Sequence, residues 1–189
     1  RLAVNGAQTA KVNYGINRGW LAHHNSDVWA QTAPTGGYDS DPKGAPRWSC
    51  WPMAGVWLCQ HLWEHYAFGG DKKYLSKTAY PLMKGAAEFL LQWLQIDPDT
   101  GYGMTNPSTS PENRFRYIDK EGKKQNGEIS RSSGKDLGLA WDLLTNCIEA
   151  STVLDTDKAF RQQCMDVRAN LQPFRIGSKG QLLEWDKEF

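Results

Sequence analysis

The sequence predicts an all-α protein, built from helical hairpins whose long polar loops gather at one end, as in an α/α toroid. Three observations carry that prediction. Apolar residues recur at helical spacing in successive segments, with no strand–helix alternation between them. The connections are by turns tight and long, and the long ones are rich in Gly, Pro, Asp and Asn. Trp20, Trp29 and Tyr38 lie inside the longest of these loops, which argues for order there.

The elements follow in order. Leu2, Val4, Ala7 and Ala10 place the end of a helix over residues 1–14, closed by Gly15. Residues 16–47 form a long polar loop, of the length that compact domains keep for function. Ser49 is a fair N-cap and Pro52 a fair first-turn residue for a helix to Phe68, ended by Gly69-Gly70. Met53, Val56, Trp57, Leu58, Leu62, Trp63 and Tyr66 cover most of its circumference, which predicts burial on most sides. Asp71 caps a short helix through Leu75, and a longer one runs over 78–95. Asp97-Pro98-Asp99-Thr100-Gly101 is a turn by composition, and 102–133 is irregular, with a charged, exposed portion at 119–127. Helices return over 135–154 and 157–171, and 181–185 reads as a short strand or an extended tail.

Composition narrows the function classes. With 22 basic and 21 acidic residues, the net charge of +1 leaves no field to hold a nucleic-acid backbone. No apolar run is long enough for a bilayer, so no membrane partner is expected. Cys50, Cys59, Cys147 and Cys164 show no paired metal-ligand spacing. Cys50 and Cys59, nine positions apart along a helix, would stand roughly 13 Å from each other. Free, buried thiols are the expectation. Arg1 opens directly on helical spacing, and Leu183–Phe189 stops without a turn. The reading is one fragment, residues 1–189, of a longer polypeptide.

Chemistry concentrates in two polar loops. Asn106-Pro107-Ser108-Thr109-Ser110-Pro111-Glu112-Asn113 carries one carboxylate, and its two prolines stiffen the backbone around it. A loop glutamate is ordinarily solvated and inert. A fixed carboxylic acid is what glycoside hydrolysis needs, and burial beside aromatic groups would raise its pKa in the required direction. The second loop, Trp20-Leu21-Ala22-His23-His24-Asn25-Ser26-Asp27-Val28-Trp29, reads either as a capping turn with two exposed imidazoles or as a sugar-binding wall. In the second reading His24, Asn25 and Asp27 bond sugar hydroxyls, and Trp20 or Trp29 stacks on the ring. Trp48 and Trp51 are ambiguous between core and cleft. One rival signal is His61-Leu62-Trp63-Glu64-His65, an H-x-x-E-H pattern of the inverted zinc-peptidase type. No third ligand stands out. Structural hydrogen bonds from Glu64 and His65 on a buried helix are the plainer reading, with no metal and no cofactor required.

Taken together, these motifs resemble glycoside hydrolase family 95, the 1,2-α-L-fucosidase family. The resemblance runs over nearly the whole chain. It is carried by residues 19–29, 51–66, 79–89 (Ala79-Tyr80-Pro81-Leu82-Met83-Lys84-Gly85) and 107–113 (Pro107-Ser108-Thr109-Ser110-Pro111-Glu112-Asn113). It implies an (α/α)6 barrel, hydrolysis of terminal α-1,2-linked L-fucose with inversion, and Glu112 as general acid. His24, Asn25, Asp27, Trp29, Trp48 and Asn113 are then the candidate substrate-binding residues. The partners are a fucosylated oligosaccharide and the rest of the chain's own catalytic domain. In the family, asparagines activated by an aspartate position the attacking water, and these would fall outside residues 1–189. The family's substrates imply a periplasmic or secreted protein. One departure is visible. Members tend to show a Met-Asp-Met-Gln-like helix start where this chain has Lys135-Asp136-Leu137-Gly138, which keeps an α-L-galactosidase in view. Two further classes fit parts of the sequence: a non-catalytic carbohydrate-binding module, and a zinc peptidase acting through His61, Glu64 and His65.

Overall fold

The computed structural model describes residues 1–35, 46–110 and 112–189. Tyr38 and Pro111 lie outside the described residues.

Helix α1 (Leu2–Tyr14) ends at Gly15, whose φ of 68° is the left-handed cap that glycine favours. A short α2 (Pro46–Ser49) precedes α3 (Ala54–Gly69). The expected start of α3 is therefore corrected. Ser49 closes α2, and Met53 takes the N-cap position with no side-chain cap. The chain before α3 is instead pinned by a parallel bridge of Met53 to Ala22, and Ala54 N–H donates to Ala22 O at 3.1 Å. Asp71 caps α4 (Lys72–Tyr74) as expected, accepting from the amides of Lys73 and Tyr74. That helix passes through a π-helical turn (Leu75–Ala79) into α5 (Tyr80–Trp93). Helices α6 (Gly134–Val153) and α7 (Lys158–Ala169) complete the set, and Ser133 caps α6 through the Asp136 amide.

The core forms where α3, α5 and α6 pack together, with α7 on α6 and α1 on α5. Met83, Phe89, Leu90, Leu143 and Leu144 fill it. Cys59, Cys147 and Cys164 are buried free thiols, and Cys50 is half-buried. Trp20 staples its loop to α3 and α5. A Cβ on Gly55 of α3 or Gly85 of α5 would meet its ring at 2.9 and 2.7 Å, and its indole N–H donates to Leu82 O.

Helix α3 is not buried on most sides. It buries the small residues Ala54, Gly55 and Val56 together with Cys59, while Trp57, Leu58 and Phe68 stay exposed, Phe68 at 93%. Small side chains let the start of α3 approach α5 and α6 closely, while Leu62, Trp63 and Tyr66 pack against the core only in part.

The fold is mostly α, with two antiparallel strand pairs. β1 (Gln95–Ile96) pairs with β2 (Gly103–Met104) around the turn expected at Asp97–Gly101. β3 (Phe115–Ile118) pairs with β4 (Lys124–Gly127), a hairpin where the sequence reads as irregular. Its cause is local. Asp119 accepts from the amides of Glu121 and Lys123, and Gly122 takes a φ of 79°. Residues 181–185 hold no strand, only an isolated bridge between Ile176 and Leu182.

Candidate active site

The loop before Glu112 is held from its buried side. A cis peptide joins Asn106 to Pro107. Ser108 exchanges both backbone hydrogen bonds with Ser130, at 2.8 and 2.9 Å, and Ser132 N–H donates to Thr105 O. Ser108, Thr109 and Ser110 are buried. The Ser108 hydroxyl donates to Asp136 Oδ2 at 2.7 Å and accepts from the Ser133 amide. Ser133 in turn donates its hydroxyl to Thr109 O. Asp136, 0% exposed, takes its second hydrogen bond from the Trp51 indole N–H at 2.7 Å. Burial raises the Asp136 carboxyl from the ordinary 3.8 to about 6, against the lowering effect of Trp51, Ser108 and Lys135.

The outer side of the loop is held by carboxylates. Glu184 Oε1 accepts from the Ser110 hydroxyl and from the Asn113 amide group. Beyond Asn113, Arg114 pairs with Glu128 at 2.6 Å, and Glu128 also takes Arg47 at 2.7 Å. Between these grips, Glu112 is exposed rather than buried beside aromatic groups.

The second loop supplies the other wall. His24 donates its amide to Trp51 O at 3.2 Å, and its ring lies 4.7 Å from the Trp48 ring and 6.2 Å from Trp51. Its pKa is lowered by removal from water and by Lys135, while Glu112 acts in the opposite direction. Glu112 and Lys135 are thus both within electrostatic reach of one imidazole. The Lys135 ammonium sits over the Trp51 ring at 4.1 Å and the Trp57 ring at 5.6 Å, and removal from water lowers its pKa. Trp48 is partly covered by the Arg47 guanidinium, 5.0 Å from its ring.

The remaining candidates have other surroundings. His23 is buried. Its Nδ1 is 2.8 Å from Thr32 O and its Nε2 2.6 Å from the Tyr14 hydroxyl, so it braces the loop, and burial lowers its pKa. Asp27 Oδ1 accepts from the amides of Trp29 and Gln31, each at 3.0 Å, making the turn itself. Asn25 is exposed at a φ of 64°, and Trp29 is 76% exposed. Trp20, at 7% exposure, is a core staple and no stacking wall. On α3, His61, Glu64 and His65 are exposed, which corrects the expected buried hydrogen bonds, and the His65 ring packs 4.1 Å from Tyr74. Among the described residues, no three His, Cys, Asp or Glu side chains form a group that could hold a metal, and no helix is long and apolar enough to cross a membrane.

Sequence reasoning singled out Lys135 and Asp136 only as a departure from the family's pattern, with no role assigned to either, and missed Glu128 and Glu184. For Asp136 a signal existed, since Ser133-x-x-Asp136 has the spacing of a helix start. The glutamates carried none, because their partners are distant in sequence.

Residues 1–189 match the glycosyl hydrolase family 95 catalytic domain. The chain belongs to that family. It is 41% identical to "Alpha-L-fucosidase 2" of Arabidopsis thaliana over 189 residues, covering 100% of this chain and 21% of that protein. It is 29% identical to "Probable alpha-fucosidase A" of Aspergillus niger over 184 residues, covering 95% of this chain and 21% of that protein. The chain thus spans about a fifth of the length of these relatives.

Proposed function

We propose that this chain is part of an (α/α)6 catalytic barrel that hydrolyses terminal α-1,2-linked L-fucose from glycans with inversion of configuration. Glu112 is the general acid. The observation that carries this reading is the anchored loop in a family 95 chain. Ser108, four residues before Glu112, is fixed to a buried carboxylate, and Glu112 itself stays exposed, within electrostatic reach of His24. The acid protonates the leaving oxygen while water attacks the opposite face of the sugar. A bound glycan excludes water from Glu112 and supplies the low-dielectric surroundings that the acid lacks in the free protein.

His24, Trp48 and Asn113 form the inner sugar contacts, and Asn25, Asp27 and Trp29 the outer ones. Glu184 orients Asn113, and the Arg47 cation supports one face of Trp48. The exposed bulky face of α3, with Trp57, Leu58 and Phe68, is where the rest of the barrel packs, and the water-activating residues lie in that remainder. Acting on such glycans, the protein works in the periplasm or outside the cell.

The test is Glu112→Gln in the full-length enzyme, assayed on an α-1,2-fucosyl-galactose disaccharide. Loss of the acid lowers kcat about a hundredfold or more. Near-wild-type turnover would sink the assignment. Proton NMR of the first product, with β-L-fucose appearing first, checks inversion, and parallel assay of an α-L-galactoside checks the sugar.

A further inference from the structure

We propose that Asp136 is a positioning residue that sets where the Glu112 acid stands against the aromatic wall of the site. This proposal rests on the assignment of Glu112 as general acid. Asp136 has no exposed surface, and its two carboxylate oxygens serve different segments. Oδ2 holds Ser108 of the acid loop, and Oδ1 holds the Trp51 indole. The Trp51 ring is the surface on which the Lys135 ammonium rests, and its carbonyl accepts the His24 amide. One anion therefore ties together the loop that carries the acid and the wall that faces it.

The placement is not what stability alone would select. A buried carboxylate is costly to desolvate, and apolar packing of similar volume commonly serves a core as well or better. The fold pins this carboxylate in the first turn of α6, where the amide ends of the helix favour an anion. Ser133 reinforces the same point by capping α6 and donating to Thr109 O, so it ties the loop to the helix start a second time. A hydrogen-bonded link of this kind fixes distance and direction, which proton donation to a leaving oxygen requires.

The experiment compares Asp136→Asn, Ser108→Ala and Glu112→Gln in the full-length enzyme on two substrates. One is the fucosyl-galactose disaccharide, whose leaving group needs a proton. The other is α-L-fucosyl fluoride, whose leaving group departs with little help. Displacing the acid lowers kcat on the disaccharide by about a hundredfold, with KM held and turnover of the fluoride largely kept. Ser108→Ala guards against misfolding of the Asp136 variant, and thermal unfolding of each variant is recorded beside the kinetics. Equal losses on both substrates, or unchanged disaccharide turnover in both variants, would overturn the positioning role. If Glu112→Gln shows the leaving-group split and the other two do not, the positioning role alone falls. If Glu112→Gln shows no split, the acid assignment falls and takes this proposal with it.

Discussion

The acid loop at 106–113 and the turn at 23–31 have similar densities of polar groups, yet they use them in opposite ways. In the acid loop the hydroxyls turn inward. Ser108 reaches a buried anion, Ser110 is tied to Glu184 on the outer side, and the carboxylate of Glu112 is left exposed. In the turn the polar side chains serve the local backbone. Asp27 holds the amides of Trp29 and Gln31, His23 braces Thr32, and Asn5 reaches across from α1 to Ala30 O. A loop whose hydroxyls are tied to carboxylates of distant elements presents a group in a fixed place, whereas the turn, shaped by its own Asp27 and steadied from α1 by Asn5 and Tyr14, keeps mainly its own shape.

The comparison can be broken, most sharply by the proton donor. Glu112→Gln carries the largest expected effect, about a hundredfold or more in kcat. Trp51→Phe comes next. It removes one of the two donors to a buried carboxylate, so apparent stability of the intact enzyme falls by about 3 kcal/mol. Denaturation that shows a loss under about half a kcal/mol would mean that the acid loop does not depend on the Asp136 link.

Asp136 gives a pH signature that the turn lacks. Its carboxyl is raised to about 6 by burial, so the folded state holds the proton more tightly than the unfolded chain. Its contribution is fully present below the ordinary 3.8, declines as pH rises to about 6, and is level above that. The decline is about 3 kcal/mol, at about 1.4 kcal/mol per pH unit. Stability measured from about pH 4 to 7 loses this component in Asp136→Asn, and an unchanged difference across that range would contradict it. Asp27→Ala is smaller, about 1 kcal/mol, because it strips two amides of an acceptor in an exposed turn where water replaces it. The smallest effect is that of Trp29→Ala. A ring this exposed carries no packing, and thermal unfolding should shift by less than about 0.5 kcal/mol equivalent.

Helix positions were legible because they rest on local chemistry. The cap at Asp71, the stop at Gly15 and the start of α6 beside Ser133 fall at or near the places that spacing and capping residues predict. The β3–β4 hairpin was not legible, since Phe115–Ile118 is too short an apolar run to separate from loop, and its turn has no Asn-Gly signature. Within the candidate site, the electrostatic link between Glu112 and His24 could be reached only through motifs, because 88 positions separate them. Trp20 and Trp29 show the limit most plainly. Both sit in the same loop with the same side chain, yet one is wedged against Gly55 and Gly85 and the other stands in solvent.

By itself, the sequence determined the helices, their punctuation, the absence of a strong charge field and the two loops worth attention. These follow from spacing, turn residues and composition, which act over a few residues at a time. Tertiary structure decided which polar groups are spent on the fold and which are left for chemistry. It put Asp136 between Ser108 and Trp51, turned His23 inward beside Tyr14, set Lys135 over the indoles and left α3 half bare. The physical reason is that desolvation and hydrogen-bond pairing depend on neighbours brought from distant segments, and no local pattern specifies which segment arrives.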